Sequence, residues 1–220
     1  MSKIEPRTGA FAELVVRGGK VSYGRRMESG RVFAQHPRLM IDFLRFNRAA
    51  ERGKRVPKVL MELGVLRAAT MVGCEFCMDI GSEFARRAGL SDEKVMALSQ
   101  AHESGLFDED ELLVIDLATG MTSTPGVVED ELMERAQERF GVKGALELVH
   151  MIAWENARAR INIAAGIVPE GFSTGKACAM PLSSGGQADQ GRRERGVLRT
   201  RATEDADMRR ATATEGGAGR

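Results

Sequence analysis

Between Pro57 and Gly73 the chain carries a run of fourteen residues, Val59 to Val72, that is apolar on nearly every face of a helix, with only Glu62 and Arg67 charged. Proline suits the first turn of a helix and glycine the position after its last turn. A helix without a polar face must be covered on all sides, so this run predicts a central helix surrounded by others. It is too short, and carries too much charge, for the roughly 20 apolar residues that a spanning helix needs.

The neighbouring sequence supplies those other helices. Pro37 opens a segment with Leu39, Met40, Phe43, Leu44 and Phe46 at near-helical spacing. A helix starting about Cys74 carries Phe76, Ile80 and Phe84 four apart and ends at Gly89 behind Arg86-Arg87. Ser91 caps a helix that begins Asp92-Glu93, Asp108 to Glu111 open the next, and Glu129-Asp130-Glu131 start one that reaches Phe140. Gly141 separates it from the longest, Val142 to Ala165. The prediction is an all-α bundle of about seven helices. One stretch reads differently: Leu14 to Tyr23, two short β-branched runs about Gly18-Gly19, predicts a hairpin or a loop.

All nine phenylalanines, Trp154 and Tyr23 lie at or before Phe172. Residues 183–220 hold seven Gly, eight Arg, six acids and no aromatic residue, too little apolar surface to offset the entropy of ordering. The expected organisation is an N-terminal arm at 1–35, a helical domain at 36–182 and a disordered tail at 183–220. Lys+Arg 32 against Asp+Glu 31 gives a net charge of +1, with no global field to hold a nucleic acid backbone or an anionic membrane. Three cysteines cannot frame a secreted scaffold, and Met1 to Pro6 contains no apolar signal-type run, so a reducing cytoplasm is expected.

Two of those cysteines form Cys74-Glu75-Phe76-Cys77 in the first turn of a helix, with both thiols on one face. There the unpaired N–H groups and the dipole lower a thiol pKa, and the spacing permits a disulfide. A pair of small core residues is the plainer alternative. Half a zinc site is a third, but Cys178 is distant and His36, His102 and His150 are scattered singly. Glu62 needs explaining too, since it sits in the most apolar helix. It reads either as a buried ion-pair partner or, beside a thiol, as a general base with a raised pKa. Arg67 lies about 140° round the helix from it and is not its natural partner.

Glu62, eleven intervening residues and Cys74-x-x-Cys77, followed by a helix ending Ala85-Arg86-Arg87-Ala88-Gly89-Leu90-Ser91, resembles the alkylhydroperoxidase AhpD-like branch of the carboxymuconolactone decarboxylase family. The resemblance runs from about His36-Pro37 to Gly171-Phe172-Ser173. It implies an AhpD-like helical bundle, assembly into homo-oligomers, and thiol peroxidase activity on hydrogen peroxide or small organic hydroperoxides without a cofactor or metal. Carried across, it makes Cys77 the peroxidatic thiolate, Cys74 the resolving thiol and Glu62 the base, with an external dithiol such as a lipoyl-bearing protein as reductant.

The resemblance departs at Gly81, where the family relay has a histidine four residues after the second cysteine. The implied relay is therefore shortened, with water, His150 or His102 as substitutes and Gly81 making room beside Cys77. Asp79 is expected on a different face. Asn156, Arg160 and Asn162 read as ties between the last helix and its neighbours, and Cys178 as a bystander. Two alternatives stay open: a lactone decarboxylase using Glu62 as acid and base, and a non-catalytic redox-sensing module.

Overall fold

The computed structural model describes residues 2–181; the tail expected at 183–220 lies outside them. Among the described residues all regular structure is helical: α1 (Ala10–Tyr23), α2 (Gly30–Phe33), α3 (Pro37–Ala50), α4 (Lys58–Val72), α5 (Glu75–Arg87), α6 (Asp92–Ala97), a 3-10 turn (Leu98–Gln100), α7 (Ala101–Ser104), α8 (Glu109–Thr122) and α9 (Asp130–Ala165). No helix among them is long and apolar enough to cross a membrane.

The central helix is α4, which packs against α5, α8 and α9. Leu60 and Ala68 meet Val114, Leu117, Leu148 and Ile152 in one core, while Leu63 and Leu66 face Ala85, Leu98 and Ile115 in another. Gly64 lets α4 and α8 approach closely, because a Cβ there stands 2.9 Å from Val114 Cγ1 and 3.6 Å from Ile152 Cδ1. The expected division at Gly141 is present. Its φ of 71° and ψ of 162° break the helical path of α9, and only glycine adopts a positive φ without strain. Asp108 and Glu111 complete a capping box at the start of α8.

The strand or loop expected at Leu14 to Tyr23 is instead helix α1. Ala12 and Val16, four residues apart, are fully buried, so tertiary burial overrides the β-branched local preference. Gly19 is seated against α1's own return, where a Cβ would stand 2.4 Å from Met27 Cγ. The N-terminal residues therefore form part of the body that encloses the site. Their position is held by ion pairs from Glu13 to Arg26 and Arg31 and by Glu170, whose carboxylate accepts from the Glu28 and Ser29 N–H groups.

Adding branched bulk at the α4–α8 contact overfills it. Gly64→Val is expected to cost about 1–3 kcal/mol, read as a lower denaturation midpoint with an unchanged slope.

Candidate active site

Cys74 is the N-cap of α5, with extended backbone at φ −83° and ψ 96°. Its Sγ accepts the Cys77 N–H at 3.2 Å, so the first thiol occupies the place usually taken by a capping oxygen. The two cysteines are disulfide-bonded, with Cα atoms 5.2 Å apart, and Cys178 is free. Both are buried, at 1% and 5% exposure, among Met27, Ala69, Phe76, Ala159 and Phe172.

A cavity of about 340 Å³ lies between α1, α3, α4, α5 and α9, and distinguishes the two sulfur-bearing residues. Cys77 lines it; Cys74 does not. Glu62 and Gly81 line the same cavity, so three of the positions singled out in the sequence converge there. Burial pushes the Glu62 carboxyl up, against the opposing pull of Lys58 and Arg158. A Cβ at Gly81 would touch only Leu66 Cδ1, at 3.3 Å, so the absence of a side chain leaves room in the cavity wall.

Neither substitute histidine reaches this space. His102 is paired with Asp116 at 2.7 Å on α7, and His150 sits on the exposed side of α9 against the Phe46 ring. His36 caps α3. Among the described residues no group of three or more His, Cys, Asp or Glu could hold a metal ion.

Besides Glu62, a connected set of polar groups in the cavity wall comes from one face of α9 and from α3. Asn162, read from the sequence as a tie, instead donates from Nδ2 to Cys77 Sγ at 3.4 Å. Asn156 does tie helices, donating to Thr122, and Arg160 folds back onto Asn156. Two turns before Asn162, Glu155 is 1% exposed and pairs with Arg158. Burial pushes the Glu155 carboxyl up, and Arg158 opposes it. Arg158 also donates to Asn47 Oδ1 at 3.0 Å, which in turn accepts the Trp154 indole N–H at 2.9 Å and donates from Nδ2 to Glu51 at 2.7 Å. Glu155, Arg158, Asn47 and Glu51 are absent from the candidates expected from the sequence. The one local signal for them is spacing: Glu155, Arg158 and Asn162 recur at i, i+3 and i+7. Tyr23 lines the opposite wall, stacked on Phe84 with ring centroids 6.0 Å apart.

Behind the cavity, α5 is stitched to the segment after α9. Asp79, on a different face from Cys77 as expected, accepts N–H bonds from Glu170, Phe172 and Ser173 at 2.7–3.0 Å. Ser82 Oγ accepts from Ala179 N and lies 3.9 Å from Cys178 Sγ, and Glu83 takes Lys176, Arg86 and Arg87.

The chain matches the model of the carboxymuconolactone decarboxylase family over residues 37–111, which includes Glu62, Cys74, Cys77 and Gly81. It is 37% identical over 122 residues to the uncharacterized protein YnjA of Escherichia coli K12, covering 54% of this chain and 66% of the relative, just under two thirds of its length. To the uncharacterized protein YdfG of Bacillus subtilis 168 it is 27% identical over 130 residues, covering 59% and 86%. In fold it is similar to the debrominase Bmp8, with a TM-score of 0.67, 21% identity, and 77% and 93% coverage. It is also similar to the alkylhydroperoxidase AhpD core of a peroxidase-related protein from Ralstonia eutropha JMP134, with a TM-score of 0.66, 14% identity, and 78% and 94% coverage. These structural likenesses establish an AhpD-like helical fold.

The stitching of α5 has a pH signature. Burial acts to raise the Glu83 carboxyl, but Lys176, Arg86 and Arg87 outweigh it and hold the group at about 2. A depressed folded-state pKa stabilises above the unfolded value near 4.5, and that stability is lost as pH falls towards 2. Glu83→Gln should therefore lower Tm at pH 7, with the gap from the native chain closing between about pH 5 and pH 2.

Proposed function

This chain belongs to the carboxymuconolactone decarboxylase family of enzymes, and on that premise we propose that it is a dithiol peroxidase acting on hydrogen peroxide or small organic hydroperoxides. The observation that carries the reading is the shared cavity, with Cys77 and Glu62 in its wall and Cys74 bonded behind. In the reduced enzyme Glu62 takes the Cys77 proton, and the thiolate attacks the distal oxygen of the substrate O–O bond. That oxygen becomes the sulfenic acid, and the leaving alkoxide takes the proton back to depart as an alcohol, or as water from hydrogen peroxide. The Cys74 thiol then displaces hydroxide from the sulfenic sulfur, releasing water and forming the disulfide. An external dithiol, of the lipoyl-bearing type, returns two electrons and two protons, and the enzyme works as a homo-oligomer.

The raised Glu62 carboxyl suits a group that must both accept and return a proton near neutral pH. Asn162 supports the same reading, because its N–H stands at the Cys77 sulfur where a thiolate needs a donor. With Gly81 in the place of the family histidine, Glu62 acts through the cavity itself, by water or by the substrate. The decarboxylase alternative is disfavoured, since the branch it resembles relies on a histidine in this region as well, and none of His36, His102 and His150 lines the cavity. An apolar cavity of this size does favour a second substrate type for the same dithiol. Bmp8, similar in fold, is a debrominase with a structure in complex with 2,3,4-tribromopyrrole. Reductive dehalogenation balances on the same pair: two thiols and a carbon–halogen bond give a carbon–hydrogen bond, a disulfide and a hydrogen halide.

Mass spectrometry after stoichiometric peroxide tests the reading. The reduced native chain should form the Cys74–Cys77 disulfide within seconds, Cys74→Ser should stall as a Cys77 sulfenic acid, and Cys77→Ser should be inert. Glu62→Gln should slow the first step by about 10²–10⁴-fold. Peroxide turnover that survives in Cys77→Ser rejects the proposal.

A further inference from the structure

The cavity is far larger than hydrogen peroxide requires. Its volume of about 340 Å³ falls at the lower end of the roughly 300–1,000 Å³ typical of sites for organic ligands. Most of its wall is apolar, including Met27, Phe43, Val65, Ile80 and Met151. Its charged lining is lopsided: among the described residues, Glu51, Glu62 and Glu155 stand against Arg158 alone.

That single guanidinium is already committed. It is paired with Glu155 and bonded to Asn47, whose remaining contacts go to Trp154 and Glu51. Glu155 Oε1 is buried with no hydrogen-bond partner, so the wall there carries an unmatched acceptor and no donor for an anion. Lys58 acts on Glu62 from outside, being exposed and absent from the lining. Gly18, Leu44 and Glu51 are the exposed members of the wall, placing the mouth between α1 and α3 with a carboxylate at its edge. An entering anion meets the Glu51 carboxylate first and ends beside Glu62 and Glu155, with no free cation among the described residues to receive it. Burial holds those two inner carboxyls towards the neutral form, so the cost to an anion there is lost hydration that nothing offsets, added to repulsion at the mouth.

We propose that the cavity selects uncharged or cationic, predominantly apolar molecules and excludes anionic ones of the same size and shape. Glu51 and Glu155 act as the specificity-determining residues beside the chemistry at Cys77. The selectivity concerns what occupies the cavity and holds whatever the dithiol does to the occupant, so it goes beyond the peroxidase reading. Where that reading also holds, neutral organic hydroperoxides are substrates and carboxylate-bearing ones are not.

Binding to the oxidised native chain separates the two questions, since no turnover is involved. Trp154 is the one tryptophan and its indole is bonded to Asn47 of the cavity wall, so its fluorescence reports occupancy. Titration with 4-phenylbutanol, 4-phenylbutylamine and 4-phenylbutanoate should show the alcohol and the amine binding at least tenfold tighter than the carboxylate. Glu51→Gln, an exposed substitution at the mouth, should narrow that ratio at least threefold, and Glu155→Gln should narrow it further if the variant folds by circular dichroism. Gly81→Met, which fills the wall beside Cys77, should abolish binding of the alcohol. Equal affinity for the carboxylate, failure of all three probes to bind at millimolar concentration, or retention of alcohol binding in Gly81→Met would each overturn the proposal.

Discussion

A helix that is apolar all round has nowhere to sit except inside, and α4 imposes that condition on the rest of this chain. Leu60 and Ala68 face one side, Leu63 and Leu66 another, and each side needs its own cover. Helices α8 and α9 close one side and α5 with the α6–α7 region another. The side occupied by Glu62 and Val65 is closed incompletely, and the cavity is what remains there. The same burial that makes α4 a core element keeps the Glu62 carboxyl protonated to a higher pH than usual. Fold and candidate chemistry are thus two results of one desolvation.

The Glu155–Arg158 pair shows the opposite balance. A charge pair taken out of water is costly unless its remaining lone pairs and protons are matched, and replacing such a pair by apolar groups is often neutral or stabilising. Here Asn47 matches the guanidinium on one side while Glu155 Oε1 stays unmatched. An arrangement that leaves one buried acceptor open is poorly explained by stability, and is better explained by the field it sets up in the adjoining cavity.

How much of this could be read from the sequence depends on the range of the signal. The α4 run, the Asp108–Glu111 cap and the Gly141 break are local patterns, and all three are present in the structure. The link between Glu62 and the two cysteines rests in the sequence on the family spacing it resembles; the structure brings Glu62 and Cys77, but not Cys74, into the wall of one cavity. Helix α1 departs from the hairpin or loop expected there, because Val15, Val16 and Gly18-Gly19 favour strand and turn locally while the burial of Ala12 and Val16 decides for helix. The chain from Trp154 and Arg158 through Asn47 to Glu51 links residues more than one hundred positions apart, and the spacing within α9 marks a shared polar face without naming its partners on α3.

Glu170 has a wider bearing than its place in a loop suggests. Its carboxylate holds the Glu28 and Ser29 N–H groups of the N-terminal wall, and its own N–H is held by Asp79 of the dithiol helix. One residue therefore ties the roof of the cavity to its floor, closing a ring of contacts around the enclosed space. Such a ring resists hinged opening, because any swing of α1 and α2 away from α5 must break the bonds at one end or the other of that residue. Leu44 and Glu51, exposed side chains of the wall, lie outside that ring, and exposed rotamers change far faster than domains hinge.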